Sequence, residues 1–194
     1  MQTSTCTHCG HEVPHYDGVH LSDGKRGRLG FVCGRCWARI LSEETGEEIP
    51  HLEIAPIVIE DPRGGSHEFH FRYNPSPRGI RAFEAREESS WGYQFGIMAE
   101  EGEPSESLVG RLLTRIRRGL AYQHLEPCDI TEGRRRIKDR VVRGHIEWDA
   151  ESEDQLPCVV IDGETIPWPQ FGKMVMQFEG FQFRTEILDF CDEA

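Results

Sequence analysis

The chain has 194 residues, of which 37% are hydrophobic and 29% charged, with a net charge of −12. That is the make-up of a soluble globular protein with room for one moderate domain and a small module. The acidic balance argues against a protein that coats nucleic acid with its whole surface, and no apolar run approaches the ~20 residues of a membrane helix. No basic region followed by an apolar segment opens the chain, so a secretory signal is not expected and the expected compartment is the cytoplasm.

In chain order, the first informative stretch runs from Cys6 to Ile40. Cys6 and Cys9 form one C-x2-C pair and Cys33 and Cys36 a second, with 23 residues between them. A two-residue spacer lets both sulfurs of a knuckle reach one metal, and two knuckles complete a tetrahedron of thiolates. Gly10 and Gly34 follow as residues able to take the positive φ of a tight knuckle. The segment is too short and too polar to bury a core of its own, so metal binding is expected to supply much of its folding energy. A redox C-x-x-C pair needs a βαβ setting, which the spacer does not offer. We therefore expect one structural zinc ion held by Cys6, Cys9, Cys33 and Cys36.

Between the pairs, residues 19–22 and 29–32 flank a turn at Asp23-Gly24 and predict a β-hairpin. The second knuckle runs into Trp37-Ala38-Arg39-Ile40-Leu41, which predicts a helix starting at the metal. Knuckle, hairpin, knuckle and helix in this order resemble the treble-clef zinc module, with a plain zinc ribbon as the alternative. The module is assigned to residues 1–46 and the main domain to residues 51–194. The remaining Cys128, Cys158 and Cys191 read as reduced, buried thiols.

The main domain is expected to begin with a strand from Leu52 to Glu60, interrupted by Pro56, and a turn at 61–65. Residues 67–73 alternate, with Phe69, Phe71 and Tyr73 on one face and Glu68, His70 and Arg72 on the other. Residues 80–86 alternate again, and Trp91 to Met98 gives a fourth strand with Tyr93, Phe95 and Ile97 together. Short turns between them predict an antiparallel meander. Ser105 is the expected N-cap of a helix whose core stripe is Val109, Leu113, Ile116 and Leu120.

Residues 126–136 read as irregular, and Val142 to Asp149 as a strand with Val142, Gly144, Ile146 and Trp148 on its apolar face. Asp162-Gly163 predicts the turn of a hairpin. Pro169 suits a helix start, Phe171, Met174, Val175 and Phe178 form its stripe, and Gly180 ends it. A closing strand is expected at Phe181, Phe183 and Ile187. The fold class is thus α+β: a small N-terminal zinc module followed by a mostly antiparallel sheet with two main helices. Val160-Ile161-Asp162-Gly163, Trp168, Phe171-Gly172 and Glu179-Gly180-Phe181-Gln182-Phe183 make residues 156–189 resemble a short domain of uncharacterised bacterial proteins. That resemblance implies a compact fold and no chemistry.

Charge is uneven. From Arg111 to Arg143 lie ten of the 22 Lys and Arg residues against four acids. Arg111, Arg115, Arg118, Arg134, Arg135, Arg136, Lys138, Arg140 and Arg143 are candidate phosphate contacts in a nucleic-acid interface. Aromatic interleaving is sparse, with Tyr122 alone, and pairing of these arginines with the acidic stretches 100–106 and 151–154 is the competing reading.

Nine histidines raise a hydrolytic alternative. His8, His11, His15 and His20 crowd the cysteines, and His20 is the candidate base of a metal-dependent nuclease of the treble-clef type. A zinc saturated by four thiolates, however, has no open position, and the one asparagine, Asn74, lies outside the module. His67 and His70 fall on opposite strand faces, where solvent-facing or interface roles are expected. Arg143, His145 and Glu147 share a face as a small polar group. Phosphate-loop and nucleophile-elbow motifs are absent. The leading expectation is a non-catalytic zinc protein that meets a protein partner through His11, His15 and Arg35. A nucleic-acid binder using the basic cluster is the alternative, and the nuclease is the weaker one.

Overall fold

A computed structural model describes residues 3–23, 27–85, 92–128, 134–149, 152, 154–189 and 191–192. These form an α+β arrangement in which every paired strand is antiparallel. Gly24, the start of the fourth meander strand at Trp91, and Glu151 and Glu153 of the acidic loop lie outside the described residues.

Strand β1 (Thr3–Thr5) pairs with β2 (Glu12–Pro14), so the first cysteine pair sits in the turn between them. A short 3-10 turn at His15–Asp17 leads into the hairpin of β3 (Gly18–Asp23) and β4 (Gly27–Cys33). Helix α1 (Gly34–Thr45) follows without a linker, three residues earlier than the sequence suggested. Gly46 ends it in the left-handed region, φ +73°, donating its N–H to Ser42 O. Gly34 does not take a positive φ; it lies close under neighbouring side chains. A Cβ there would stand 3.0 Å from His51 Cε1 and 3.3 Å from Asp17 Oδ1.

The central sheet has the order β5-β6-β7-β8, as the period-two pattern predicted: β5 (Ile57–Glu60), β6 (Ser66–Pro75), β7 (Arg78–Glu84) and β8 (Gln94–Met98). Pro56 delays β5 rather than interrupting it. Phe69, Phe71, Tyr73, Ile80, Ala82 and Ile97 form one face, covered by α2 (Ser105–Ala121). Leu108, Leu112, Ile116 and Leu120 are the buried stripe of α2, while Val109 and Leu113 flank it. Each fully buried side chain of this size contributes about 1.5–3 kcal/mol over its exposed state. Ser105 is the first helical residue, and no side chain caps the helix.

Beyond α2 the chain builds a second core around another sheet. Strands β9 (Leu125–Pro127) and β10 (Arg135–Ile137) pair where irregular chain was expected; residues 129–133 are outside the described set. Strands β11 (His145–Trp148), β12 (Pro157–Ile161) and β13 (Glu164–Pro167) form a three-stranded sheet. The β12–β13 turn has Asp162 at φ +51° and Gly163 at φ +73°, the pair of left-handed residues that a two-residue hairpin turn requires. Helix α3 (Trp168–Val175) packs Met174 and Phe171 against Leu125, Ile137, Val159, Ile161 and Ile166.

Three expectations fail here. Strand β11 starts at His145, and its apolar residues Ile146 and Trp148 are 56% and 68% exposed. Val175 is exposed as well. No strand forms at 181–189, where Phe181, Phe183 and Ile187 stand exposed; alternation alone cannot make a strand without a sheet edge to receive it. Of the three remaining cysteines Cys158 is buried, whereas Cys128 and Cys191 are half-buried.

Candidate metal centre

The four cysteine Sγ atoms lie within 4.8 Å of one another, close enough to hold one metal ion. Each knuckle brings its pair together by local means. In the first, Cys6 N–H donates to His11 O and Gly10 N–H to Cys6 O, both at 2.9 Å, and Gly10 takes φ +73°. In the second, Cys33 ends β4 and holds the residue position just before α1, and Cys36 lies in the first turn of that helix. The hairpin register, Gly18 opposite Cys33, holds the second knuckle beside the first. Cys6, Cys33 and Cys36 are buried and Cys9 is exposed. Val32 is buried among them, with Val13, Leu21, Trp37 and Ile40 packed around.

The electrostatics favour a bound cation. Burial by itself raises the Cys6 thiol, but the N–H groups of Cys33, Cys9 and His8 outweigh it and bring it down to about 6. Cys36 is pushed up to about 12, first by burial and then by the sulfurs of Cys33, Cys9 and Cys6. Burial likewise raises Cys33. One thiolate thus forms readily and opposes the others, and a divalent ion is what allows all four to ionise together. The amino end of α1, with its positive partial charge, points at the same place.

A tetrahedron with metal–sulfur bonds of ~2.3 Å places sulfurs about 3.8 Å apart. Cys9 Sγ and Cys33 Sγ are 3.8 Å apart. The donor set fits a soft or borderline ion.

The histidines do other work. His15 stacks on Phe31 at 5.5 Å and its Nδ1 meets Ser4 Oγ at 2.9 Å; His20 meets Phe31 edge-on at 5.5 Å. His8 and His11 are exposed. Of the two roles expected for His70, solvent-facing or interface, it takes the second, buried where the module docks: Tyr16 Oη lies 2.8 Å from His70 Nδ1, and His70 Nε2 is 2.9 Å from Glu68 Oε1. An Arg35–Glu53 ion pair adds to this seam.

On the opposite face His67 Nδ1 contacts the buried Glu84 carboxylate at 2.6 Å. His67 also approaches Asp61, whose Oδ1 accepts the N–H groups of Arg63 and Gly65. His145 and Glu147 do meet, at 3.0 Å, and Gln94 joins them. Among the described residues the four cysteines are the one group of potential ligands close enough to hold an ion.

Much of the basic cluster is engaged within the chain. Arg111 pairs with Glu103 at 2.7 Å and Glu100 at 3.5 Å, Arg135 with Glu164 at 2.6 Å, and Arg136 with Glu126 at 2.9 Å. Arg115 donates to the carbonyls of Gly96, Cys191 and Asp192, and Arg140 lies over the Phe181 ring at 5.3 Å. Lys138 sits near Asp139 and over Tyr122. Arg134 and Arg143 are exposed.

Sequence reasoning passed over Tyr16 and the opposed Arg72 and Arg81 on β6 and β7. No local pattern marks them, because only the strand register and the docking of the module bring them together.

Residues 50–121 match a family described as Domain of unknown function (DUF7686), and residues 124–192 match a second, Domain of unknown function (DUF7713). The two matches meet at the end of α2, where one core gives way to the other. The second encloses residues 156–189, for which the sequence had suggested a family resemblance. No curated protein and no solved structure matches the chain.

Proposed function

We propose that the chain is a non-catalytic zinc-binding protein of the cytoplasm that serves as an accessory or interaction module for a protein partner. The observation that carries this reading is the closed set of four thiols, three of them buried, docked through Tyr16 on a sheet with its own core. Four thiolates complete a tetrahedral shell, so the ion's role is to fix the fold rather than to activate water. The order of knuckle, hairpin and helix, with the helix start supplying the last ligands, supports a treble-clef module. Zinc is the ion that such a set selects among the common divalent metals. Exposed residues around it, His11 and Arg35 among them, form the contact surface.

The intrachain pairs of Arg111, Arg135 and Arg136 support self-pairing over phosphate tracking. The test is metal analysis of the purified chain followed by nucleic-acid titrations across a salt series. One zinc per chain with no binding to single or double strands at low salt is the expected result. An affinity whose logarithm falls linearly with log salt would overturn it in favour of nucleic acid.

A further inference from the structure

The second core is open on one side. Ile146 of β11 stands opposite Val159, which packs under α3, yet Ile146 and Trp148 remain in water. β11 is also an outer strand. Among the described residues it pairs with β12 alone, so its other edge presents N–H and C=O groups that no described strand takes up. Close by runs an apolar segment without a seat. Residues 179–189 are exposed throughout and belong to no helix or strand, with Phe183 88% and Ile187 74% exposed. The segment is held at both ends. At one, Phe181 N–H donates to Phe178 O and its ring lies under Arg140; at the other, Arg115 donates to the carbonyls of Cys191 and Asp192.

We propose that a second copy of this chain covers the open face: residues 181–188 of each copy add to β11 of the other as an antiparallel strand, in a two-fold dimer. One register places Phe181 opposite Trp148, Phe183 opposite Ile146 and Ile187 opposite the half-buried Val142, all on the uncovered side. On the other side it sets Glu186 opposite the exposed Arg143 and Gln182 opposite Glu147, which are complementary pairs. A shift of two residues one way opposes Arg184 to Arg143; the other way carries Phe181 past Trp148 and leaves Ile187 on Gly144. Aromatic side chains present about 150–250 Å² each, so Trp148, Phe181 and Phe183 with Ile146, Ile187 and Leu188 leave roughly 600–800 Å² in water. That exceeds the ~300–600 Å² patch of a typical monomer and approaches the ~800 Å² per partner of a stable interface, before the backbone ladder is added. Both halves of the contact belong to one chain, and Arg140 over Phe181 sets them side by side, as a self-complementary patch requires. Neither the metal nor the surface at His11 and Arg35 enters this contact.

The experiment is sedimentation equilibrium of the full chain over a concentration series. A reversible dimer is expected for the parent. Phe183→Asp, at a side chain that the single chain leaves in water, should leave monomer, as should Trp148→Asp. Glu186→Arg alone and Arg143→Glu alone each set like charges opposite one another at both ends of the dimer, and each should weaken it by about tenfold. Mixed in equal amounts, these two variants should associate about as tightly as the parent, because a mixed dimer has opposite charges in both pairs.

Far-ultraviolet circular dichroism of each variant establishes that the fold is kept. Should Trp148→Asp fail to fold, Phe183→Asp and the charge variants still decide. A parent chain that stays single at every concentration overturns the proposal and leaves the face to a different protein. A dimer that persists unchanged in Phe183→Asp overturns it by placing the interface elsewhere. A mixture of the charge variants no tighter than either alone overturns the strand pairing.

Discussion

Replacing Cys33 by Ser tests the metal centre and its role in folding at once. Cys33 supplies one of the four thiols and immediately precedes α1, and its N–H meets Cys6 Sγ at 3.3 Å. The hydrocarbon core of the module is small: besides the cysteines, its buried hydrophobic residues among the described ones are Phe31, Val32, Ala38 and Leu41, with Val13, Leu21, Trp37 and Ile40 only partly covered. Tetrathiolate zinc contributes about 10–16 kcal/mol of apparent folding free energy in small zinc modules, a loss that these few side chains, at about 1.5–3 kcal/mol each, cannot make good against the ~1–2 kcal/mol per residue that ordering the module costs. Loss of the ion should therefore unfold residues 3–45.

The central sheet and α2, with eleven buried residues of their own, should remain folded. Helix α1 has 12 residues against 17 in α2 and 8 in α3. The helical signal in far-ultraviolet circular dichroism should thus fall by about a third. Metal content should drop from one ion per chain to none, and trypsin should cut first within the module. A Cys33→Ser chain that keeps its metal and its helical signal would refute the assignment.

Leu112→Ala empties a site that is 0% exposed under α2 and should cost about 2–5 kcal/mol in urea unfolding; a loss below about 1 kcal/mol would place Leu112 outside the core. Asp162 Oδ2 accepts the N–H groups of His124 and Leu125, both at 2.7 Å, from a residue at φ +51°. Asp162→Ala should cost about 1–3 kcal/mol for the unpaired donors and more for the left-handed backbone. Asp162→Asn, which keeps an acceptor and tolerates that φ, should stay near the parent, and equal losses would count against this account.

Asp61 gives a pH signature. Burial works to raise its carboxyl, but the N–H groups of Gly65 and Arg63, then His67 and the Arg63 charge, hold it down at about 2, below the ordinary 3.8. A folded pKa below the unfolded one means stabilisation that is full above pH 3.8 and lost as pH falls through about 2. Asp61→Asn should flatten the acid limb of the stability curve in that window. Parallel curves would show that Asp61 is not the group responsible.

The parts of this molecule readable from sequence are those set by neighbours along the chain. Two C-x2-C pairs specify a metal cluster because each knuckle closes over four residues, and the Asp162-Gly163 turn is dictated by its own dihedral needs. The meander was legible because strand alternation has a rigid period of two. Helix α2 was found but rotated by one residue: Leu108-Val109 and Leu112-Leu113 offer two parallel stripes, and only the position of the sheet selects the first.

The short pair β9–β10 was hidden by Arg134-Arg135-Arg136, whose charge suits an exposed edge as well as a loop. Conversely Phe181 and Phe183 alternate like a strand, yet whether an edge is free to receive them is a property of the whole fold. The same holds for His70. Its polar neighbours Glu68 and Arg72 left water and an interface both open, and only the docked Tyr16 decides for the interface.

Strand β6 is covered on both sides, by α2 on one and by the metal module on the other, and its residues alternate between the two. Phe69, Phe71 and Tyr73 belong to the helix side, and Glu68, His70 and Arg72 to the module side. Inheritance along this strand should therefore follow parity. Lesions at odd-numbered positions would lower the yield of the whole chain, while lesions at even-numbered ones would spare expression and alter only how the two halves communicate. A saturation library confined to these few codons would separate the gene's requirement for stability from its requirement for function.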